Sequence, residues 1–228
     1  MEAFQAGKFE VEVLYLDNHL LGVRKPPNMP VQRDSSGDLD LLTACKQFIG
    51  ERFNKPGAVY VGLVHRLDRP VGGSMILART SKAAARLSKA FSDHSVEKEY
   101  LCVLQGELHE RCELSDYLLK SESSGNSKVV SESTPGAKLA RLITEPIAVR
   151  DGLTLAKVTL LTGRSHQIRV QHAHIGLPLW GDARYGSGKP GQQIALWAHR
   201  LVVDHPTLHE PVEIISEPPD AMPWDLFS

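Results

Sequence analysis

Cysteine is scarce and scattered in this chain. Cys45, Cys102 and Cys112 are odd in number and form no C-x-x-C pair, which excludes both a disulfide framework and a metal knuckle. No apolar run approaches the roughly 20 residues of a membrane-spanning helix. The opening residues, Met1 to Lys8, lack the apolar stretch of a signal peptide. A charge excess is missing too: 26 basic and 27 acidic side chains leave a net charge of −1. Aromatic residues are only 6%, yet 42% of the chain is hydrophobic and 23% charged, an ordinary globular composition rather than a disordered one. A chain of 228 residues fits one domain. It buries roughly 70% of its unfolded surface and needs no disulfide or metal to fold. The expectation is a soluble, cytosolic, monomeric protein.

Near-zero net charge argues against a nucleic-acid partner, but its distribution reopens the case. Residues 61–100 carry seven Lys/Arg against four acids, and residues 161–185 carry three Arg against Asp182. After Asp204 there are five acids and no Lys or Arg. Such a chain can present a basic patch, as phosphate binding requires. An unevenly charged solvated surface has the same composition.

Alternation predicts strands at Val11–Tyr15 and Leu20–Val23, joined by the Asp17-Asn18 turn. Further strands are expected at Val61–Val64, Met75–Ala78, Tyr100–Leu104, Leu153–Leu160, Ala195–Val203 and Val212–Ile215. Helical spacing predicts a helix over Leu41–Phe53 capped by Asp40, a second from Ser81 to about His94, and a third from Ser165 to His174 stopped by Gly176. The Ser/Gly-rich residues 120–137 read as a flexible insertion loop. Many strands, few helices and no βαβ rhythm point to an α+β fold with a mixed, largely antiparallel sheet.

Several motifs fail on inspection. Gly186-Ser187-Gly188-Lys189-Pro190-Gly191 matches G-x-G-x-x-G, but no strand precedes it and Pro190 falls where a helix should run. Ser74 lacks the second glycine of a nucleophile elbow. The ten histidines show neither H-E-x-x-H nor the spacing of a zinc deaminase.

Two segments resist a bland reading. His65-Arg66-Leu67-Asp68 leaves a strand with two bases around one acid. In Thr162-Gly163-Arg164-Ser165-His166-Gln167-Ile168-Arg169, a helix from Ser165 places His166 and Arg169 on one face, with His172 close to it. Arginines at a helix N-terminus oppose the macrodipole, so a carboxylate or anion partner is expected.

Together these segments resemble the RluA-type family of RNA pseudouridine synthases. Residues 61–106 resemble its catalytic block through His65-Arg66-Leu67-Asp68, Gly73, Lys98-Glu99-Tyr100 and Gly106. Residues 161–186 resemble its second block through Thr162-Gly163-Arg164, His166 to Arg169, Gly176, Pro178, Gly181-Asp182 and Tyr185-Gly186. Val23-Arg24-Lys25-Pro26 resembles the family's strand running into Lys-Pro. One departure is Val71-Gly72-Gly73, where the family usually has Thr-Ser-Gly. That removes two hydroxyls and loosens the loop.

The resemblance implies a pseudouridine synthase fold of a single catalytic domain over 1–228, with flanking helices and loops around a central cleft and no separate N-terminal RNA-binding domain. It implies isomerisation of uridine to pseudouridine in a structured tRNA or rRNA. The reaction consumes nothing, so no cofactor or metal is implied. Asp68 matches the one essential carboxylate, acting as nucleophile or as base on the ribose. Arg169 matches the arginine that pairs with it, and Tyr100 the tyrosine that stacks on uracil and assists proton removal at carbon 5. Ile168 would form an apolar wall, and Arg66 would fill the gap left by the flipped base. Lys82, Arg86 and Lys89 could track phosphates or simply form a solvated helix face. His65 and His166 fit network roles, and Arg164 fits either a phosphate contact or the scaffold. A non-catalytic RNA-binding protein or RNA chaperone keeping this fold is the alternative. A glycoside hydrolase would need a second convincing carboxylate.

Overall fold

The computed structural model describes residues 2–122 and 125–228. In chain order the elements are β1 (Glu2–Ala6), β2 (Phe9–Leu16), β3 (Leu20–Lys25), α1 (Leu41–Arg52), β4 (Gly62–Leu63), β5 (Gly72–Ala78), α2 (Ser81–Ser92) and β6 (Glu97–Gln105). There follow β7 (Cys112–Lys120), β8 (Ser127–Val130), β9 (Lys138–Arg150), β10 (Leu153–Leu160), α3 (Gln167–His174), β11 (Leu196–Asp204), β12 (Pro211–Ile215) and a final 3-10 turn, Trp224–Phe227. Among the described residues no helix is long and apolar enough to cross a membrane. The fold is α+β with a largely antiparallel sheet, as the patterning predicts. Residue contacts divide the chain into two compact units, Met1–Glu97 with Ala198–Glu217, and Lys98–Trp197 with Pro218–Ser228.

In the first unit the strands run in the order β1-β2-β3-β5-β11, with β12 on β11 and β4 on β5. The expected hairpin is real: Asp17 Oδ1 accepts hydrogen bonds from the amides of His19 (2.8 Å) and Leu20 (2.6 Å) and fixes the β2–β3 turn. β5 is buried along its whole length, which explains its apolar run Met75–Ala78. Leu20, Ile76, Ala78, Leu87, Leu201, Val203 and Ile214 form one core cluster beneath α2. Each large side chain there contributes about 1.5–3 kcal/mol by leaving water. α1 is capped by Asp40, whose Oδ1 accepts the Thr43 amide at 3.0 Å. α2 is capped by Thr80 rather than the expected Ser81, because Thr80 holds the extended backbone that lets its hydroxyl reach the Ala83 amide.

In the second unit the order is β6-β10-β9-β7-β8. β7, β8 and β9 are absent from the sequence reading. β9 contains Pro146, which normally demotes a strand. Here the register shifts between Leu155 and Ala156, so the proline falls beside a bulge, where a missing N–H is tolerated. The expected insertion loop of residues 120–137 is partly ordered, since Ser127–Val130 form β8 against β7; Ser123 and Ser124 lie outside the described residues. The third helix begins later than expected. Ser165 is not its cap; His166 takes that position with φ 56°, without a side-chain cap bond, and Gly176 at φ 80° ends the helix as anticipated.

Candidate active site

Asp68 lies half-buried in the irregular segment between β4 and β5. A loop carboxylate needs its backbone immobilised before it can be aimed. The Val71 amide closes a turn onto the Asp68 carbonyl at 3.0 Å. Beneath that turn lies Lys25, fully buried at the end of β3. Its Nζ donates to the carbonyls of Val71 (2.7 Å), Arg69 (3.0 Å) and Pro26 (3.0 Å). One ammonium thus holds two carbonyls of the Asp68–Val71 turn and ties them to Pro26 at the end of β3. Burial pushes the Lys25 pKa down to about 7, the Asp68 charge opposes that, and Arg69 adds to it. Arg69 itself reaches outward to Asp34 at 2.9 Å and to Asp38.

The departure at 71–73 leaves this turn intact. Val71 is buried, and its amide and carbonyl are the groups that bond Asp68 and Lys25. Gly73, at φ 121°, is required: a Cβ there would collide with the Ala198 backbone. The loosened loop expected from the extra glycine is therefore pinned by Lys25 below and β11 alongside. His65 has a network role, its Nε2 accepting the Ile76 amide at 3.0 Å while its ring stacks on Phe91 at 4.5 Å. Arg66 is exposed. Lys82 is exposed on α2, Arg86 donates to the Pro206 carbonyl, and Lys89 pairs with Asp93.

In the second unit, Tyr100 sits half-buried on β6 opposite Val158 of β10. α3 is unusual in burying six of its eight residues, four of them polar. Each polar side chain has named partners. Gln167 Oε1 accepts from the Thr162 hydroxyl (2.8 Å) and the Arg164 amide (2.9 Å), which ties the first helical residue to the turn before it. Gln171 donates to Asp116 at 2.7 Å. His172 bonds Thr144 at 2.9 Å and the Ile168 carbonyl at 2.7 Å, and burial pushes its pKa down to about 4. His172 is therefore a neutral core residue rather than a companion of an exposed helix face.

Arg169 has the carboxylate partner that its helix position calls for. Its Nε donates to Asp182 Oδ2 at 2.8 Å and its Nη2 to Asp182 Oδ1 at 2.7 Å, a buried two-point pair. Asp182 Oδ1 also accepts the amides of Arg184 (2.9 Å) and Tyr185 (3.2 Å). Burial by itself would raise the Asp182 pKa, but the Arg169 hydrogen bonds and charge, with those two amides, hold it below the usual carboxylate range. Gly181, at φ 75°, brings this turn against the Gln193 carbonyl where no Cβ fits. Tyr185 lays its ring 5.2 Å from the guanidinium.

His166 does not share a helix face with Arg169 as expected. It stands ahead of α3 in the left-handed region, a conformation costing about 1–3 kcal/mol for a non-glycine residue. Its Nδ1 shares a 2.8 Å hydrogen bond with the Tyr185 hydroxyl. Arg164 donates its Nε to the Leu139 carbonyl at 2.8 Å, a scaffold contact. Ile168 is 4% exposed. Among the described residues no three His, Cys, Asp or Glu side chains gather to hold a metal ion.

Lys25 and Asp182 were not recognised as parts of a site from sequence. The signal for Lys25 was available, since alternation along β3 puts it on the same buried face as Leu21 and Val23. Asp182 follows Gly181 in a turn, and only its buried pairing with Arg169 marks it as part of a site.

The family model for RNA pseudouridylate synthase matches residues 19–174, a span that includes Asp68, Tyr100 and Arg169. The chain is 31% identical to ribosomal large subunit pseudouridine synthase D of Zymomonas mobilis, over 93% of this chain and 70% of that protein. It is 30% identical to tRNA pseudouridine synthase C of Haemophilus ducreyi, over 78% of this chain and 74% of that one. An uncharacterized RNA pseudouridine synthase of Zymomonas mobilis is 35% identical, over 84% and 86% of the two chains. The solved structure of human RNA pseudouridylate synthase domain containing 4 shares the fold, with a TM-score of 0.75 over 91% of this chain and 88% of that one at 21% identity. Sequence blocks, family model and relatives agree: the chain belongs to the RluA-type RNA pseudouridine synthases, which isomerise uridine in RNA to pseudouridine.

Proposed function

We propose that this enzyme acts on a structured tRNA or rRNA and that Asp68 is its catalytic carboxylate. The observation that carries the reading is the Asp68 turn, held by a buried lysine that gives two of its three hydrogen bonds to that turn's carbonyls, Arg69 and Val71. Preorganisation of this kind is what a group acting in the transition state needs. Asp68 attacks the ribose or removes a ribose proton as the bond from N1 of uracil to C1′ breaks. The base turns and C5 bonds to C1′, displacing the Asp68 carboxylate on the nucleophilic route or with Asp68 returning the ribose proton on the other; the C5 proton leaves, and N1 regains a proton. Atoms and electrons balance without a co-reactant.

Arg169 is the arginine that the family resemblance assigns to the catalytic site. Tyr100 stacks on the uracil and assists departure of the C5 proton. Exposed Arg66 takes the place of the flipped base, a displacement that costs a few kcal/mol of stacking. Lys82 is the α2 cation with the clearest opening to phosphate, since Arg86 and Lys89 already have protein partners.

The test is tritium release from carbon-5-labelled RNA by wild type and Asp68→Asn. Release by the wild type alone supports the assignment. Equal release by Asp68→Asn removes Asp68 from the chemistry. Binding without release by either protein favours a non-catalytic RNA-binding role.

A further inference from the structure

Tyr185 stands where three separate parts of the second unit meet. Its ring lies against the Arg169 guanidinium and packs beside the cluster of Leu118 from β7, Ala140 from β9 and Val170 from α3, with Val129 of β8 also against that cluster. Its hydroxyl accepts the Ser127 amide at 2.8 Å and shares a 2.8 Å bond with His166 Nδ1. A second tie runs parallel, the Ser127 hydroxyl donating to the Ser165 carbonyl at 2.7 Å. The first residue of β8 is thus fastened to the two residues that precede α3, and the fastening passes through the side chain lying on Arg169.

The β7–β8 hairpin is otherwise a poor choice for such attachment. Its strands pair over only four residues, Tyr117 to Lys120 with Val130 to Ser127. Lys120 and Lys128 are exposed near its tip. A short hairpin flanked by cations can shift on meeting a polyanion. The left-handed His166 reinforces the point: residues kept in that region are over-determined by their surroundings, and here the Tyr185 hydroxyl is the group that holds the imidazole.

We propose that Tyr185 is a positioning residue that couples the β7–β8 hairpin to Arg169, so that the seating of the hairpin sets the orientation of the guanidinium. The proposal rests on the catalytic reading of Arg169. Asp182 fixes one edge of the guanidinium from a rigid turn; Tyr185 fixes its face and carries the connection onward to Ser127.

The experiment measures apparent kcat and KM by tritium release from carbon-5-labelled total RNA of cells lacking this enzyme, with thermal melting of every variant. Tyr185→Phe keeps the ring over Arg169 and removes the hydroxyl. It is expected to lower kcat about tenfold, leave KM within about twofold and melt close to wild type. Ser127→Ala, which removes the parallel tie, is expected to lower kcat about threefold in the same pattern. Arg169→Lys supplies the second arm, with an expected loss of about a hundredfold, and adding Tyr185→Phe to it should cost no further activity. Full kcat in Tyr185→Phe overturns the coupling while an impaired Arg169→Lys leaves the reading of Arg169 standing. Additive losses in the double variant, or a KM effect alone, also overturn it, because Tyr185 would then act without Arg169. Wild-type turnover by Arg169→Lys overturns the catalytic reading of Arg169 and the coupling with it.

Discussion

The two charged groups at the heart of the proposed chemistry are held by opposite means. Asp68 sits on a loop, and what fixes it is backbone: Lys25 grips three carbonyls around the turn, and the Val71 amide closes it. Arg169 sits on α3, and what fixes it is side chain: Asp182 takes two of its nitrogens and Tyr185 covers its face. The difference follows from the elements. A helix already fixes its backbone through its own hydrogen bonds, so only the long, rotamer-rich arginine remains to be ordered. A loop has no such ladder, and a short aspartate is aimed once its main chain is still.

The largest expected effect is at the carboxylate itself. Asp68→Ala should lower turnover by at least about 10⁴-fold while RNA affinity stays within tenfold, measured by tritium release and filter binding. A large loss of affinity would move Asp68 from chemistry to binding.

The next effect breaks the side-chain clamp. Asp182→Ala leaves the Arg169 charge buried without its carboxylate, which should destabilise the protein by about 3–5 kcal/mol in urea unfolding. Asp182→Asn keeps the shape and loses the charge; about a hundredfold lower kcat with little change in KM is expected. Unchanged kcat would show that the Asp182 clamp does not govern catalysis.

The backbone clamp should break more gently. Lys25→Met fills similar space but takes a donor from three carbonyls, of which that of Arg69 keeps the Asn28 amide, at a cost of about 2–4 kcal/mol. The Asp68 turn then keeps its Val71 bond and the Asn28 bonds to Arg69 but loses the lysine, and kcat should fall about tenfold with KM unchanged. If Lys25→Met unfolds in urea like wild type, backbone clamping is not what holds the turn.

A last contrast separates the two regions by pH, small for each step of pH. Lys25 titrates at about 7 in the folded chain and at 10.5 when free. Between those values only the unfolded chain holds the proton, so stability rises with pH by about 1.4 kcal/mol per unit. Lys25→Met should lack that rise. His172 titrates at about 4 when folded and 6.5 when free. Between those values only the unfolded chain takes up the proton, so stability falls by a similar slope as pH drops. Urea unfolding of wild type and Lys25→Met from pH 5 to 9 resolves both windows. An alkaline rise persisting in Lys25→Met would assign it to another group.

Much of the first unit was legible because its signals are local. The Asp17 turn, the Asp40 cap, the apolar run of β5 and the Ala84, Leu87, Phe91 stripe of α2 all lie within a few residues of the structure they dictate. The second unit was harder. β9 hides behind Pro146, because a proline beside a bulge and a proline that ends a strand look alike in sequence. α3 concealed its start because its cap position is His166, in the left-handed region and without a side-chain cap bond, not the preceding serine.

The catalytic candidates were legible for a different reason: Asp68, Tyr100 and Arg169 lie in blocks whose spacing resembles a family, and the family model spans them. The clamps were not. Lys25 lies 44 residues before Arg69 in the chain and Asp182 lies 13 after Arg169. A sequence by itself determines period, turn chemistry and caps, since these are set by neighbouring residues. Which carboxylate meets which cation, and whether a lysine points to water or into three carbonyls, was decided only when the chain folded, because burial and pairing of charge depend on what packs alongside from elsewhere.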